Sequence, residues 1–88
     1  MLEKEDGKIM PVDPAVEIDL NDRDEQGRSL VFQRDANTLL VEGMAVLAYE
    51  SEEHVVADAT VLSVNKQRRT AYIEVDWASV RTGRPNYI

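Results

Sequence analysis

VADATVLSVNKQRRTAYIEVDWASV, residues 56–80, reads as a strand, a short basic turn and a second strand. Ala71, Ile73, Val75 and Trp77 alternate with Tyr72, Glu74 and Asp76. That is the period of two expected of a half-buried strand, whose successive side chains point to opposite faces. Before the turn, residues 55–64 carry apolar side chains on both faces, so both must meet something, as in a central strand or a small barrel. The turn itself, Asn65-Lys66-Gln67-Arg68-Arg69, is short enough for a hairpin. It is also the most positive spot in a chain of formal charge −7. The hairpin decides the fold, and its turn poses the functional question: a grip for phosphates, or a solvated loop.

Outward from the hairpin the same period recurs. In Val16-Glu17-Ile18-Asp19-Leu20 the apolar residues share one face and the carboxylates the other. Residues 44–49 are apolar on both faces, and 29–33 make a fifth strand. Pro11 and Pro14 keep the first segment irregular. Residues 21–28, with Gly27, are expected to close a first hairpin, Glu42-Gly43 to open the third strand, and residues 51–54 to make another connection. Ala78-Ser79 should turn the chain, with Gly83 and Pro85 marking a loose end. No window sustains a helical stripe. Five short strands in 88 residues predict an all-β antiparallel meander. A flat sheet of that size would leave one apolar face wet, so the expectation is a small five-stranded barrel. The whole chain, 1–88, reads as one domain with a folded core over about 15–80. Residues 1–12 and 82–88 read as loose, flexible tails.

Composition narrows the class. The apolar fraction of 43 % and the mixed-sign charged fraction of 31 % describe a foldable chain with a solvated shell. The absence of cysteine removes disulfides, thiolate nucleophiles and Cys-based zinc sites, and favours a reducing cytoplasm. Charges throughout the first ten residues leave no signal-peptide core. Uncharged runs such as 43–49 are far shorter than the roughly 18 residues of a membrane helix. Charge is unevenly spread: residues 1–25 hold nine acids and three bases, 26–64 six and two, and 65–88 two and five. An acidic surface repels phosphate backbones, while the basic end suits an acidic partner.

The run Glu42-Gly43-Met44-Ala45-Val46-Leu47-Ala48-Tyr49, then Ala59-Thr60-Val61-Leu62-Ser63-Val64, then Tyr72-Ile73-Glu74-Val75-Asp76-Trp77, resembles an SH3-like barrel of the Tudor sort. In that family a glycine precedes a V-x-A strand, an A-x-V strand follows, and a V-x-V/F strand ends in an acidic-aromatic pair. The likeness covers about half the chain. It departs where the family has aspartate-tyrosine-glycine, here Asp76-Trp77-Ala78, and residues 15–34 have no counterpart. Such barrels use aromatics at one end as a cage for methylated Lys or Arg. The resemblance implies Tyr49, Tyr72 and Trp77, with Asp76 or Glu74, as the nearest positions. Against that stands a plainer role, with Trp77 plugging the barrel and the tyrosines across its rim.

Other motifs weigh less. Asp22-Arg23-Asp24-Glu25-Gln26-Gly27 matches the first six positions of a calcium loop, but the twelfth is Gln33 rather than Glu and the flanks read as strands. His54, the single histidine, follows two glutamates with no nucleophile or phosphate cradle beside it. The expectation is therefore a non-catalytic interaction module, with no cofactor or metal. It should bind a protein or peptide through a rim holding Tyr49, Tyr72 and the turn cations Lys66, Arg68 and Arg69. The alternative is a nucleic-acid-binding barrel using Lys66, Arg68 and Arg69, with Tyr72 for stacking; no membrane partner is implied.

Overall fold

β-Branched, aromatic and small apolar residues at alternate positions lay down nearly all the regular structure. A computed structural model describes residues 13–21 and 23–85, and in it six strands form one curled, mixed sheet, a half-barrel. They are β1 (Ala15–Glu17), β2 (Arg28–Phe32), β3 (Ala45–Glu50), β4 (Val55–Asn65), β5 (Thr70–Val75) and β6 (Arg81–Thr82). Their order is β1-β3-β4-β5-β2, with β6 also paired to β4. Helical structure among the described residues is confined to two 3-10 turns, Gln33–Asp35 and Trp77–Ser79. No helix there is long and apolar enough to cross a membrane.

β4 organises the sheet. One edge pairs antiparallel with β3, from Ala45↔Thr60 to Glu50↔Val55. The other pairs with β5, from Ala59↔Val75 to Asn65↔Thr70, and with β6 at Val56↔Arg81. Between β5 and β6 the Trp77–Ser79 turn continues the contact. The Asp58 carbonyl accepts the Asp76 N–H at 2.8 Å, and the Ser79 hydroxyl oxygen accepts the Asp58 N–H at 2.8 Å. The register shifts between Val61 and Ser63, leaving Leu62 without a cross-strand partner. A bulge of this kind bends a strand and changes its phase. Before it Ala57, Ala59 and Val61 are buried; after it Val64 is the residue packed against the core. The apolar letters on both faces thus have separate causes. Leu62 is the inserted, exposed residue, whereas Val56 lies against the chain at Gly83.

Two expectations about pairing need correction. The described residues hold six strands rather than five, and the sheet is mixed, because β1 runs parallel to β3 from Ala15↔Leu47 to Glu17↔Tyr49. Residues 21–28 therefore close no hairpin. β2 pairs instead with β5, from Arg28↔Glu74 to Phe32↔Thr70. The physical reason is a local turn: the Asp24 N–H donates to the Arg28 carbonyl, 2.8 Å, and the Gly27 N–H to the Asp24 carbonyl, 3.0 Å. Gly27 takes φ 79 there, which a residue with a Cβ rarely adopts. The alternation at 16–20 still holds, since Ile18 and Leu20 pack against the core while Glu17 and Asp19 are exposed.

The stretch read as a loose tail over 82–88 is tied to the sheet as far as Pro85. Arg81 and Thr82 form β6, the Gly83 N–H donates to the His54 carbonyl at 2.7 Å, and Pro85 is buried. Residues 1–12 and 86–88 lie outside the described residues.

The half-barrel is bridged where the segment after β2 reaches β1, at Val16↔Ala36. Asn37 clasps the strand there: its N–H donates to the Ala15 carbonyl (3.0 Å), its Oδ1 accepts the Ala15 N–H (2.9 Å), and its Nδ2 donates to the Asp13 carbonyl (2.7 Å). Inside sit Val16, Val31, Val46, Val61, Ile73 and Val75. Trp77 was expected to continue this inner face. It sits in the 3-10 turn instead, half-buried against the core, with its indole N–H 3.4 Å from the Gly27 carbonyl and Arg23 over its ring at 4.4 Å.

Ile73 has no exposed surface, so Ile73→Ala should cost about 2–5 kcal/mol by chemical denaturation. Leu62→Gln, at the exposed bulge position, should stay within about 0.5 kcal/mol. Equal costs at the two positions would contradict this placement of the core.

Candidate functional site

The outer face of the β2–β5 pair carries the most unusual surface among the described residues. With Ser29 and Val31 turned inward and buried, Leu30 and Phe32 point outward, 49 % and 41 % exposed. Leu30 lies directly across from Tyr72, itself 37 % exposed, and Phe32 across from Thr70. The β4–β5 turn rises beside them, because the bulge bends the end of β4. The result is a groove of about 960 Å³ with Tyr72 and Thr70 in its floor, Leu30 and Phe32 on one wall, and Lys66 and Arg68 on the other.

Cations frame the aromatic rings. Arg28 lies 4.7 Å from the Tyr72 ring centroid and Arg34 5.0 Å from that of Phe32. Arg28 is held in place by Asp24, whose Oδ2 sits 2.8 Å from the guanidinium Nε. The turn is shaped by Asn65, whose Oδ1 accepts the Arg68 N–H at 3.1 Å. Among the described residues Lys66, Arg68 and Arg69 enter no ion pair. Glu74 is the carboxylate on this side of β5, opposite Arg28 in the register.

Of the residues expected at a rim, the fold brings together Tyr72, Lys66 and Arg68. Arg69 turns to the far side of the hairpin, its backbone in the left-handed region at φ 56. Tyr49 is a correction: it is buried on β3 opposite Val56 and takes no part in the groove. With Tyr49 buried beside Val56, Tyr72 exposed across from Leu30 and Trp77 beneath Arg23, the three aromatics do not form a cage. Leu30 and Phe32 had not been singled out. Ser29-Leu30-Val31-Phe32 is apolar in both phases. Only the buried serine reveals which phase faces out.

The calcium-like loop is occupied by its own chain. Asp24 Oδ1 accepts the Gln26 and Arg28 N–H groups at 2.9 and 2.8 Å, and Oδ2 accepts from the Arg28 side chain. Asp22 lies outside the described residues. Among those that are described, no group of three or more His, Asp or Glu is placed to hold a metal ion.

At the other end of β4, carboxylates gather. Glu50 sits close to Asp19, Glu53 and Glu52, and Glu17 accepts a hydrogen bond from the Ser51 hydroxyl. β4 thus separates an acidic end from a basic one. Burial first, and then the repulsion of Asp19 and Glu53, push the Glu50 carboxyl above its ordinary value. The Arg28 backbone N–H first, and then the Arg28 side chain, hold Asp24 below its own.

Set against known families, curated proteins and solved structures, the chain matches none of them.

The two carboxyls should act on stability with opposite signs. The raised Glu50 favours folding fully only below its unfolded value, about pH 4, and that contribution is lost as pH rises through the folded value. The lowered Asp24 contributes above its unfolded value and loses its effect as pH falls through the folded one. Glu50→Gln should therefore raise the melting temperature at pH 7 and change it little at pH 3. Side-chain carbon titration by NMR should place Glu50 above and Asp24 below their model-peptide values.

Proposed function

We propose that this chain is a small interaction module, an SH3-like barrel that binds another protein or peptide through the groove of Leu30, Phe32, Tyr72, Lys66 and Arg68. One observation carries the reading: three large side chains stand exposed on neighbouring strands beside two cations that enter no ion pair among the described residues. Contiguous apolar surface on a small domain marks interaction sites, and aromatic residues in a shaped depression are the usual anchors of binding energy. The apolar wall would take a large side chain of the partner. The basic wall would meet its carboxylates, with Arg34 and Arg28 presenting further guanidinium N–H groups around the rings. The SH3-like assignment is supported by the curl of the sheet, by the bulged central strand and by the closing contact at Val16↔Ala36. The work proposed is binding rather than catalysis, in the cytoplasm, which a cysteine-free chain suits.

A second reading draws on the same rings. Phe32 and Tyr72, exposed on adjacent strands next to Lys66 and Arg68, resemble a platform on which bases stack. Glu74 beside Tyr72 and the charge of −7 weigh against it, since a phosphate backbone must be followed by cations over several nucleotides.

The test is a pair of variants in one binding assay. Phe32→Ser with Tyr72→Ser should abolish capture of an acidic, apolar peptide while leaving the fold intact, because both side chains are already substantially exposed. Lys66→Glu with Arg68→Glu should slow association and remove its salt dependence. Their effect on stability should be small, roughly 0–1 kcal/mol for each exposed charge. A mobility shift of single-stranded oligonucleotide at about 0.15 M salt, where the Debye length is roughly 8 Å, decides the alternative. Retardation that vanishes in the double charge reversal would favour the nucleic-acid reading.

A further inference from the structure

The far side of the basic turn holds a second cleft, of about 620 Å³, between the β4–β5 turn and the loop at residues 38–42. Its size falls in the range of about 300–1,000 Å³ typical of small-molecule sites. Leu40 and Val64 lie at its base, one buried and the other half-buried, while Leu39 and Val41 are 72 % and 54 % exposed at its side. Such exposure of two aliphatic side chains is unfavourable unless something covers them. At its rim stand Lys66 and Arg69, neither ion-paired among the described residues, against one carboxylate, Glu42. The cleft shares Lys66 and the base of the turn with the Tyr72 groove but opens on the opposite side.

The cleft is pre-built, and Gln33 builds it. Its side-chain Nε2 donates to the Thr38 carbonyl at 2.7 Å and its Oε1 accepts the Leu40 N–H at 3.0 Å, which fixes the apolar loop. Its backbone N–H donates to the Arg69 carbonyl at 2.9 Å. One residue thus ties the apolar wall to the cationic rim. Arg69 is held at φ 56, a conformation that an arginine adopts only at a cost. His54, the last residue of the β3–β4 turn, takes the same φ of 56, so this is the left-handed position with which both hairpin turns close.

We infer that this cleft binds an apolar body ending in a carboxylate, with the body against Leu39, Val41 and Val64 and the carboxylate between Lys66 and Arg69. Two sources share that chemistry: a free aliphatic acid, and the C-terminal residue of another chain. The guanidinium fork of Arg69 suits a carboxylate in either case. An uncharged ligand of the same body would leave the cations unused.

Two-dimensional NMR titration of the full chain tests this with octanoate, octanol, and the peptide Gly-Gly-Leu-Leu as free acid and as amide. Octanoate is expected to shift the Leu39, Val41 and Val64 methyls saturably and to bind at least tenfold more tightly than octanol. The free-acid peptide should likewise exceed its amide tenfold, and whichever acid binds more tightly identifies the source. Arg69→Gly is the informative variant, because glycine accepts the left-handed backbone and the fold should be retained. It is expected to weaken octanoate at least fivefold with no fall in melting temperature. Equal binding of octanoate and octanol would overturn the inference, as would affinity unchanged in Arg69→Gly with Lys66→Gln. So would shifts confined to Leu30, Phe32 and Tyr72.

Discussion

A strand of eleven residues that pairs along both edges can serve a curled half-barrel only if it bends, and the unpaired residue at Leu62 supplies the bend. Upstream of it, β4 lies between β3 on one edge and β6, then the end of β5, on the other; downstream, it pairs with β5 and leads into the basic turn. The phase change moves the inward position from Val61 to Val64, so one strand keeps the core closed while its end swings out to form a wall. Without the extra residue the inward series would continue to Ser63, and the turn would stand differently over Tyr72. The groove, the second cleft and the separation of the charged ends all follow from how this strand is bent.

Charge is partitioned along the same strand. Carboxylates cluster around the β3–β4 connection, where burial first and then their mutual repulsion raise Glu50, and cations gather at the β4–β5 turn. A net charge of −7 therefore conceals a basic end. Three aromatic rings each lie under an arginine of the same chain, Phe32 under Arg34, Tyr72 under Arg28 and Trp77 under Arg23. At exposed sites such contacts contribute roughly 0.5–1 kcal/mol. They also cover ring faces that would otherwise promote indiscriminate association.

What the amino-acid sequence alone determined is five of the six strands and the inward faces of most of them. Alternation at 71–75 and at 16–20 reports local geometry, because side chains in any strand alternate regardless of its partner. The basic turn was equally legible, since Lys66, Arg68 and Arg69 interrupt the apolar pattern with three like charges. Partner choice was not. Nothing local distinguishes a β1 that pairs antiparallel with the next strand from one that runs parallel to β3. The Asp24 turn and the clasp of Asn37 on Ala15 and Asp13 settle it only once distant residues meet. For the same reason Tyr49 and Tyr72, two tyrosines in similar strand contexts, parted company, one buried beside Val56 outside the core cluster and one exposed over the β2–β5 pair. The burial of Ser29, and with it the exposure of Leu30 and Phe32, was likewise decided by β2 docking on β5. Hydrophobicity would have put the two larger residues inside, but the register opposite Ile73 leaves the serine there. Sequence period states which residues share a face; only the packed sheet states which face the core claims.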